Sequence, residues 1–151
     1  MSSGHHIIGS AAKGLRIAIA LLLFAASPLG SAPAHAGGGT GPAAAVGSAG
    51  LEACRTTSGK VLYNCVADVL DRMGGTLTRS AQPGTREALQ TASSQLRAAT
   101  NKAQALSAIS ACRSAFAGLI QQAKAARGEA PGLTAIVGVL AKAAALIQAK
   151  G

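Results

Sequence analysis

Residues 59–73 carry the clearest pattern in the chain and read GKVLYNCVADVLDRM. Large apolar side chains recur here at the three- and four-residue spacing of one helix face, and charged side chains occupy the other face. The apolar positions are Leu62, Cys65, Val66, Val69, Leu70 and Met73. Ser58 is suited to cap the amino end, and Gly74 and Gly75 are suited to stop the carboxyl end. The pattern therefore predicts an amphipathic helix.

Two longer segments downstream are also helical in pattern. Residues 86–128 are almost entirely good helix formers, and residues 133–150 repeat apolar side chains on one face. The first segment fits either one helix of about 40 residues or two helices that meet near Thr100. We favour two helices, because Asn101 followed by Gln104 resembles a capping box and helices of about 40 residues are uncommon in small domains.

The composition indicates an all-α fold over residues 51–151. Hydrophobic residues make up 49% of the 151 positions but aromatic residues only 2%, and no strand pattern of comparable length occurs. We expect a small bundle of three to four helices, in which residues 51–57 form either the first turns of the 59–73 helix or a separate short helix. A core lined by alanine buries little area per side chain, so a covalent cross-link would stabilise it.

The amino-terminal residues resemble an export signal. Lys13 and Arg16 precede an apolar run over residues 17–26, and Ala34 and Ala36 supply the small residues that signal peptidase recognises. The run would span about 15 Å as a helix, half of a bilayer core, so we expect cleavage after Ala36 and no transmembrane segment in the mature chain. The predicted segments are a signal peptide (1–36), a flexible Gly/Ala-rich leader (37–50) and a helical domain (51–151).

Three cysteines remain in the mature chain: Cys54, Cys65 and Cys112. An oxidising periplasmic or extracellular space predicts one disulfide and one free thiol, which offers a route to a homodimer. A straight helix over residues 51–73 would separate Cys54 from Cys65 by about 16 Å, beyond the ~7 Å limit, so their pairing requires a break at residues 56–59. We expect a bridge from Cys112 to one of the two upstream cysteines instead.

The mature chain lacks histidine, the most frequent general acid or base in enzymes. All three histidines of the sequence, at positions 5, 6 and 35, fall within the predicted signal peptide. Without imidazole, neither a general base nor a zinc ligand set is evident, and no C-x-x-C pair occurs. We therefore expect no enzymatic activity, no cofactor and no metal. Asp68 and Asp71, near Arg72, are expected to form a solvated surface with weak ion pairing.

The remaining charge is basic and evenly spread. Removal of Lys13 and Arg16 from the 14 basic residues leaves 12 against 5 acidic ones. Nucleic-acid binding favours a clustered patch, so we expect no nucleic-acid partner. We expect a non-catalytic structural or interaction protein of the cell envelope, whose partner is an unidentified protein or an anionic envelope component. Alternatives are a membrane-surface protein using the 133–150 helix and a thiol-dependent redox protein.

Overall fold

The computed structural model describes residues 39–126, 128 and 130–151, and all regular secondary structure in this part is helical. The elements are α1 (Gly41–Cys54), α2 (Gly59–Thr76), α3 (Thr85–Ala98), α4 (Lys102–Ala125) and α5 (Pro131–Lys150). The all-α class is confirmed, with five helices in the described residues where we expected three to four. The predicted signal peptide over 1–36, with Ala34 and Ala36, lies outside the described residues.

The five helices form a ring in which α5 returns to α1. Each helix contacts the next along the chain, α5 also contacts α1, and α2 also contacts α5. Gly132 at the start of α5 lies against Thr40 at the start of α1. At the other end, Lys150 donates to the carbonyl oxygen of Arg55. Helices α1 and α5 are therefore parallel, as an up-and-down ring with an odd number of helices requires.

Helix α2 supplies the largest share of the core, as its sequence predicts. The largest fully buried side chains come from four helices, and they are Leu62, Val66, Val69, Leu70, Met73, Leu89, Leu96, Ile109, Phe116, Ile136, Leu140 and Ile147. Five of the six residues on the predicted face of α2 are buried, and Cys65 is partly buried. The helix continues through Gly74 and Gly75 to Thr76, so the glycine pair does not stop it.

The structure corrects the flexible leader expected over residues 37–50, because α1 begins at Gly41. Pro42 lies in its first turn, where proline is compatible with a helix. A Cβ atom at Gly47 would lie 2.8 Å from Val139 Cγ1, and one at Gly50 would lie 2.7 Å from Val69 Cγ2. The small residues that suggested flexibility instead let the α1 backbone approach α2 and α5.

The structure also corrects the expected disulfide. Cys54 and Cys65 are bonded, with 5.8 Å between their Cα atoms, and Cys112 is free and buried. Helix α1 ends at Cys54 and α2 begins at Gly59, so the break that this pairing requires is present. The turn between them reverses the chain and places Cys65 beside Cys54. The bridge thus joins α1 to α2, where we expected a link from Cys112.

The break between α3 and α4 confirms Asn101 as the cap of α4, although the Gln104 side chain bonds the amide one residue before the cap instead of closing the capping box. The side chain of Asn101 accepts a hydrogen bond from the Gln104 amide at 2.9 Å, and Gln104 Oε1 accepts one from the Thr100 amide at 2.8 Å. These bonds satisfy backbone donors at the start of α4. Residues 86–128 therefore form two helices.

Four of the basic side chains bind carbonyl oxygens at the carboxyl end of a neighbouring helix. The pairs are Lys60 with Ala99 after α3 (2.9 Å), Lys102 with Gln148 in the last turn of α5 (3.0 Å), Lys150 with Arg55 after α1, and Arg86 with Leu77 after α2 (2.9 Å). The last carbonyls of a helix have no partner within it and carry partial negative charge. The even spread of basic residues thus has a structural role.

We predict that Gly50→Leu destabilises the protein. The new side chain would collide with Val69, which is branched at Cβ and cannot swing away, so α1 must separate from α2. The expected loss in the free energy of unfolding, measured by urea denaturation, is about 1–3 kcal/mol. Gly118→Leu is the matched control, because its Cβ would meet nothing within 4 Å on α4. Equal stability of the two variants would contradict the close packing of α1.

Candidate functional site

Helices α1 and α5, which close the ring, leave a groove along their outer seam. The upper part of this groove, nearer the amino ends of both helices, is a concavity of about 400 Å³. Its walls are glycine, alanine, proline and valine, and Ser48 and Lys142 are the polar side chains that line it. This upper part of the groove is therefore predominantly apolar.

The groove exists because the facing side chains are small. Ala44 and Ala45 on α1, and Ala135 and Gly138 on α5, line its upper part, and each has at most one side-chain carbon. Deeper in the seam, Gly47 brings the α1 backbone against Val139. The inner seam is thus closed by packing while the outer seam stays open.

The groove continues past Lys142 into a second concavity of about 390 Å³, its lower part. Arg55, Lys142 and Lys150 line the lower part, together with Glu52 and four apolar residues. The Arg55 guanidinium binds Glu52 at 2.8 Å, and the hydrogen bond and charge of that carboxylate raise the pKa of Arg55. The groove therefore changes from apolar to cationic along its length, and Lys142 lies where the two parts meet.

A separate polar cluster joins α2 to α3. Arg97 Nη2 lies 2.7 Å from Asp68 Oδ1 and 2.6 Å from Asp71 Oδ2, and Ser93 Oγ donates to Asp71 Oδ1 at 2.5 Å. Partial burial raises the pKa of Asp71, but the hydrogen bonds from Ser93 and Arg97 outweigh it and hold that pKa below its usual value. We expected Arg72 near these carboxylates, but its Nε donates to the Asp68 carbonyl oxygen instead. The ion pairs and hydrogen bond of this cluster therefore connect α2 to α3.

The free thiol of Cys112 points between α3 and α4. Its Sγ donates to the Ala88 carbonyl oxygen at 3.5 Å, and burial raises the pKa of the thiol to about 12. The thiolate is the reactive form of cysteine, so burial disfavours reaction of this side chain at neutral pH. The three cysteines do not meet at one site, since Cys54 and Cys65 form the α1–α2 disulfide.

The part of the chain that the structure describes bears on two further kinds of site, metal and membrane. No group of three or more His, Cys, Asp or Glu side chains there is placed to hold a metal ion. Helices α4 and α5 are long and apolar enough to cross a bilayer by length and composition. Phe116 of α4 and Leu140 of α5 are fully buried in the core, whereas Leu119, Ile120 and Leu146 are partly buried. Among the described residues, the exposed large hydrophobic side chain is Val61 of α2, at 63%.

The chain matches no protein-family model, no curated protein and no solved structure. The class of ligand that the groove binds must therefore be inferred from the chemistry of its walls. The sequence pattern predicted the helix that forms the α5 wall of the groove. It did not predict helix α1, which forms the other wall and falls largely in the segment expected to be flexible. A usable signal was present, because Ala43, Gly47, Gly50 and Cys54 recur at three- and four-residue spacing and are all buried.

We predict that Cys112 resists alkylation in the native protein. Iodoacetamide at neutral pH should modify no cysteine until the chain is unfolded, and unfolding without reductant should then expose Cys112 alone. Peptide mass spectrometry identifies the modified residue. The raised pKa also predicts that the thiol favours folding most below about pH 9 and that this contribution is lost as the pH rises through about 12. Rapid native labelling would contradict the burial, and labelling of Cys54 or Cys65 without reductant would contradict the pairing.

Proposed function

We propose that this chain is a small exported binding protein without catalytic activity, and that the groove between α1 and α5 is its ligand site. The observation that carries the proposal is the upper part of the groove, an apolar concavity of about 400 Å³ between two parallel helices. Pockets for small ligands have volumes of about 300–1,000 Å³ and mostly apolar walls. The ligand we propose is an elongated apolar molecule.

The walls favour such a ligand for two reasons. Removing apolar surface from water favours binding by about 25 cal/mol per Å². Walls of glycine and alanine also have almost no side-chain freedom to lose, so the groove is preformed. From Pro131 to Lys142 the α5 wall rises about 16 Å, which suits an extended chain.

The chemistry of the groove supports binding without catalysis. Its upper part offers one hydroxyl group, on Ser48, and one ammonium group, on Lys142. General acid–base catalysis uses a group whose pKa lies near the working pH. The carboxylate of the lower part, Glu52, is paired with Arg55.

Export is part of this proposal. The Cys54–Cys65 disulfide suits an oxidising compartment, which is where a cleaved signal peptide over residues 1–36 would deliver the chain. Intact-mass measurement of protein recovered outside the cytoplasm of an expressing cell should give a chain that begins at Gly37. Recovery of the chain with Met1 still attached would contradict export by cleavage.

Two other functions have less support. A membrane-surface helix exposes large apolar side chains, whereas those of α5 named above are fully or partly buried and Val61 lies on α2. A thiol-dependent redox protein works through a thiolate, and burial disfavours that form at Cys112. The same burial disfavours a homodimer linked through Cys112.

We predict that Gly138→Leu blocks the groove. A side chain at this position enters open space, so the helix is not strained while the upper part of the groove is filled. N-phenyl-1-naphthylamine, a neutral apolar dye whose fluorescence rises on leaving water, is a suitable probe. Its affinity should fall at least about tenfold, or by about 1.4 kcal/mol.

Gly118→Leu supplies the matched control. This exposed glycine also lies on a helix with nothing within 4 Å of a built Cβ, but it is on α4 and does not line the groove. The control should bind the dye as the wild type does. Weak dye binding by the wild type, or equal loss in both variants, would overturn the proposed site.

A further inference from the structure

The position of Lys142 bears on the ligand class. We propose that the groove binds a single-chain amphiphile with an anionic head group, such as a long-chain carboxylate. The apolar chain lies in the upper part of the groove and the head group lies beside the Lys142 ammonium. This inference rests on the proposed function of the groove and adds the charge and orientation of its ligand.

The charge of Lys142 is not used by the fold. Its side chain is exposed, lines both parts of the groove and makes no ion pair or hydrogen bond within residues 39–126, 128 and 130–151. By contrast, Lys60, Lys102 and Lys150 all donate to carbonyl oxygens at helix ends. An anion beside Lys142 would therefore gain a charge-assisted hydrogen bond without breaking one in the protein.

The surroundings reinforce this charge. The lower part of the groove contains Arg55 and Lys150 besides Lys142, against the single carboxylate of Glu52. The side chains of the lower part thus carry a net positive charge, which exceeds the partial negative charge of the two helix carboxyl ends and attracts an anion. The Lys150 ammonium is bonded to the Arg55 carbonyl oxygen, and the Arg55 guanidinium is paired with Glu52.

The upper part of the groove favours an alkyl chain over a peptide. A peptide has backbone donors and acceptors that require partners when they are removed from water. Ser48 and Lys142 are the hydrogen-bonding side chains in that part, and beyond the first turns of α1 and α5 the wall backbone is hydrogen-bonded within these helices. An alkyl chain has no hydrogen-bond donors or acceptors that require partners, and it fits the length of about 16 Å along α5.

Competition for the dye tests the inference. Dodecanoate and 1-dodecanol share a chain length and differ in head-group charge at about pH 8, where a carboxyl group is ionised. Each is titrated against bound N-phenyl-1-naphthylamine at low salt, below its aggregation concentration. The proteins are the wild type, Lys142→Met and Arg113→Met. Met keeps the length and apolar character of the lysine stem, and Arg113 is an exposed cation on α4 outside the groove.

The wild type should bind dodecanoate more tightly than dodecanol, and Lys142→Met should weaken dodecanoate by about three- to tenfold while leaving dodecanol within twofold. Arg113→Met should change neither. Salt should reduce the preference for dodecanoate.

The opposite results separate the two proposals. If Lys142→Met leaves dodecanoate binding unchanged, or if Arg113→Met weakens it equally, the anionic ligand class is wrong although the groove still binds alkyl chains. If neither ligand displaces the dye from the wild type, or if Gly138→Leu has no effect on either, the groove is not the site and both proposals fail.

Discussion

The contact on which the rest of the structure depends is the close approach of α1 to α2 and α5. Gly47 and Gly50 carry no side chain at points where a Cβ would lie within 3 Å of Val139 or Val69. Alanine and glycine bury little area each, so backbone proximity replaces side-chain bulk as the source of packing contacts. Without these two glycines, α1 could not fit between its neighbours and the ring of five helices would stay open.

The same choice of small residues produces the candidate site. Where Gly47 faces inward, the seam between α1 and α5 is closed, and where alanine and glycine face outward, it remains open as a groove. The basic side chains differ in what they contact. Most of those at the helix ends bind terminal carbonyls, whereas Lys142, near the middle of α5, lines the groove and would be available to the proposed ligand. Packing and binding therefore follow from one distribution of small and charged residues.

Sequence patterns identified the parts of this fold that depend on local information. The apolar face of α2 and the Asn101 cap of α4 follow from helical spacing and from side-chain bonds within four residues. The role of α1 does not follow, because a run of small residues is compatible with a flexible segment or with close packing, and only the partner helices decide between them. The disulfide was missed for a related reason. A longer loop removes more entropy from the unfolded chain, but native geometry determines which cysteines meet.

The order in which these contacts can form follows from the parallel arrangement of α1 and α5. The bond from Lys150 to the Arg55 carbonyl joins positions 95 residues apart. The disulfide joins positions only 11 apart. The disulfide needs only α1 and α2 to be in place, whereas the side of α1 that carries Gly47 stays uncovered until α5 packs against it. The twenty residues of α5 thus complete both the ring and the groove, so a chain truncated before α5 would keep its cross-link and lose one wall of the groove.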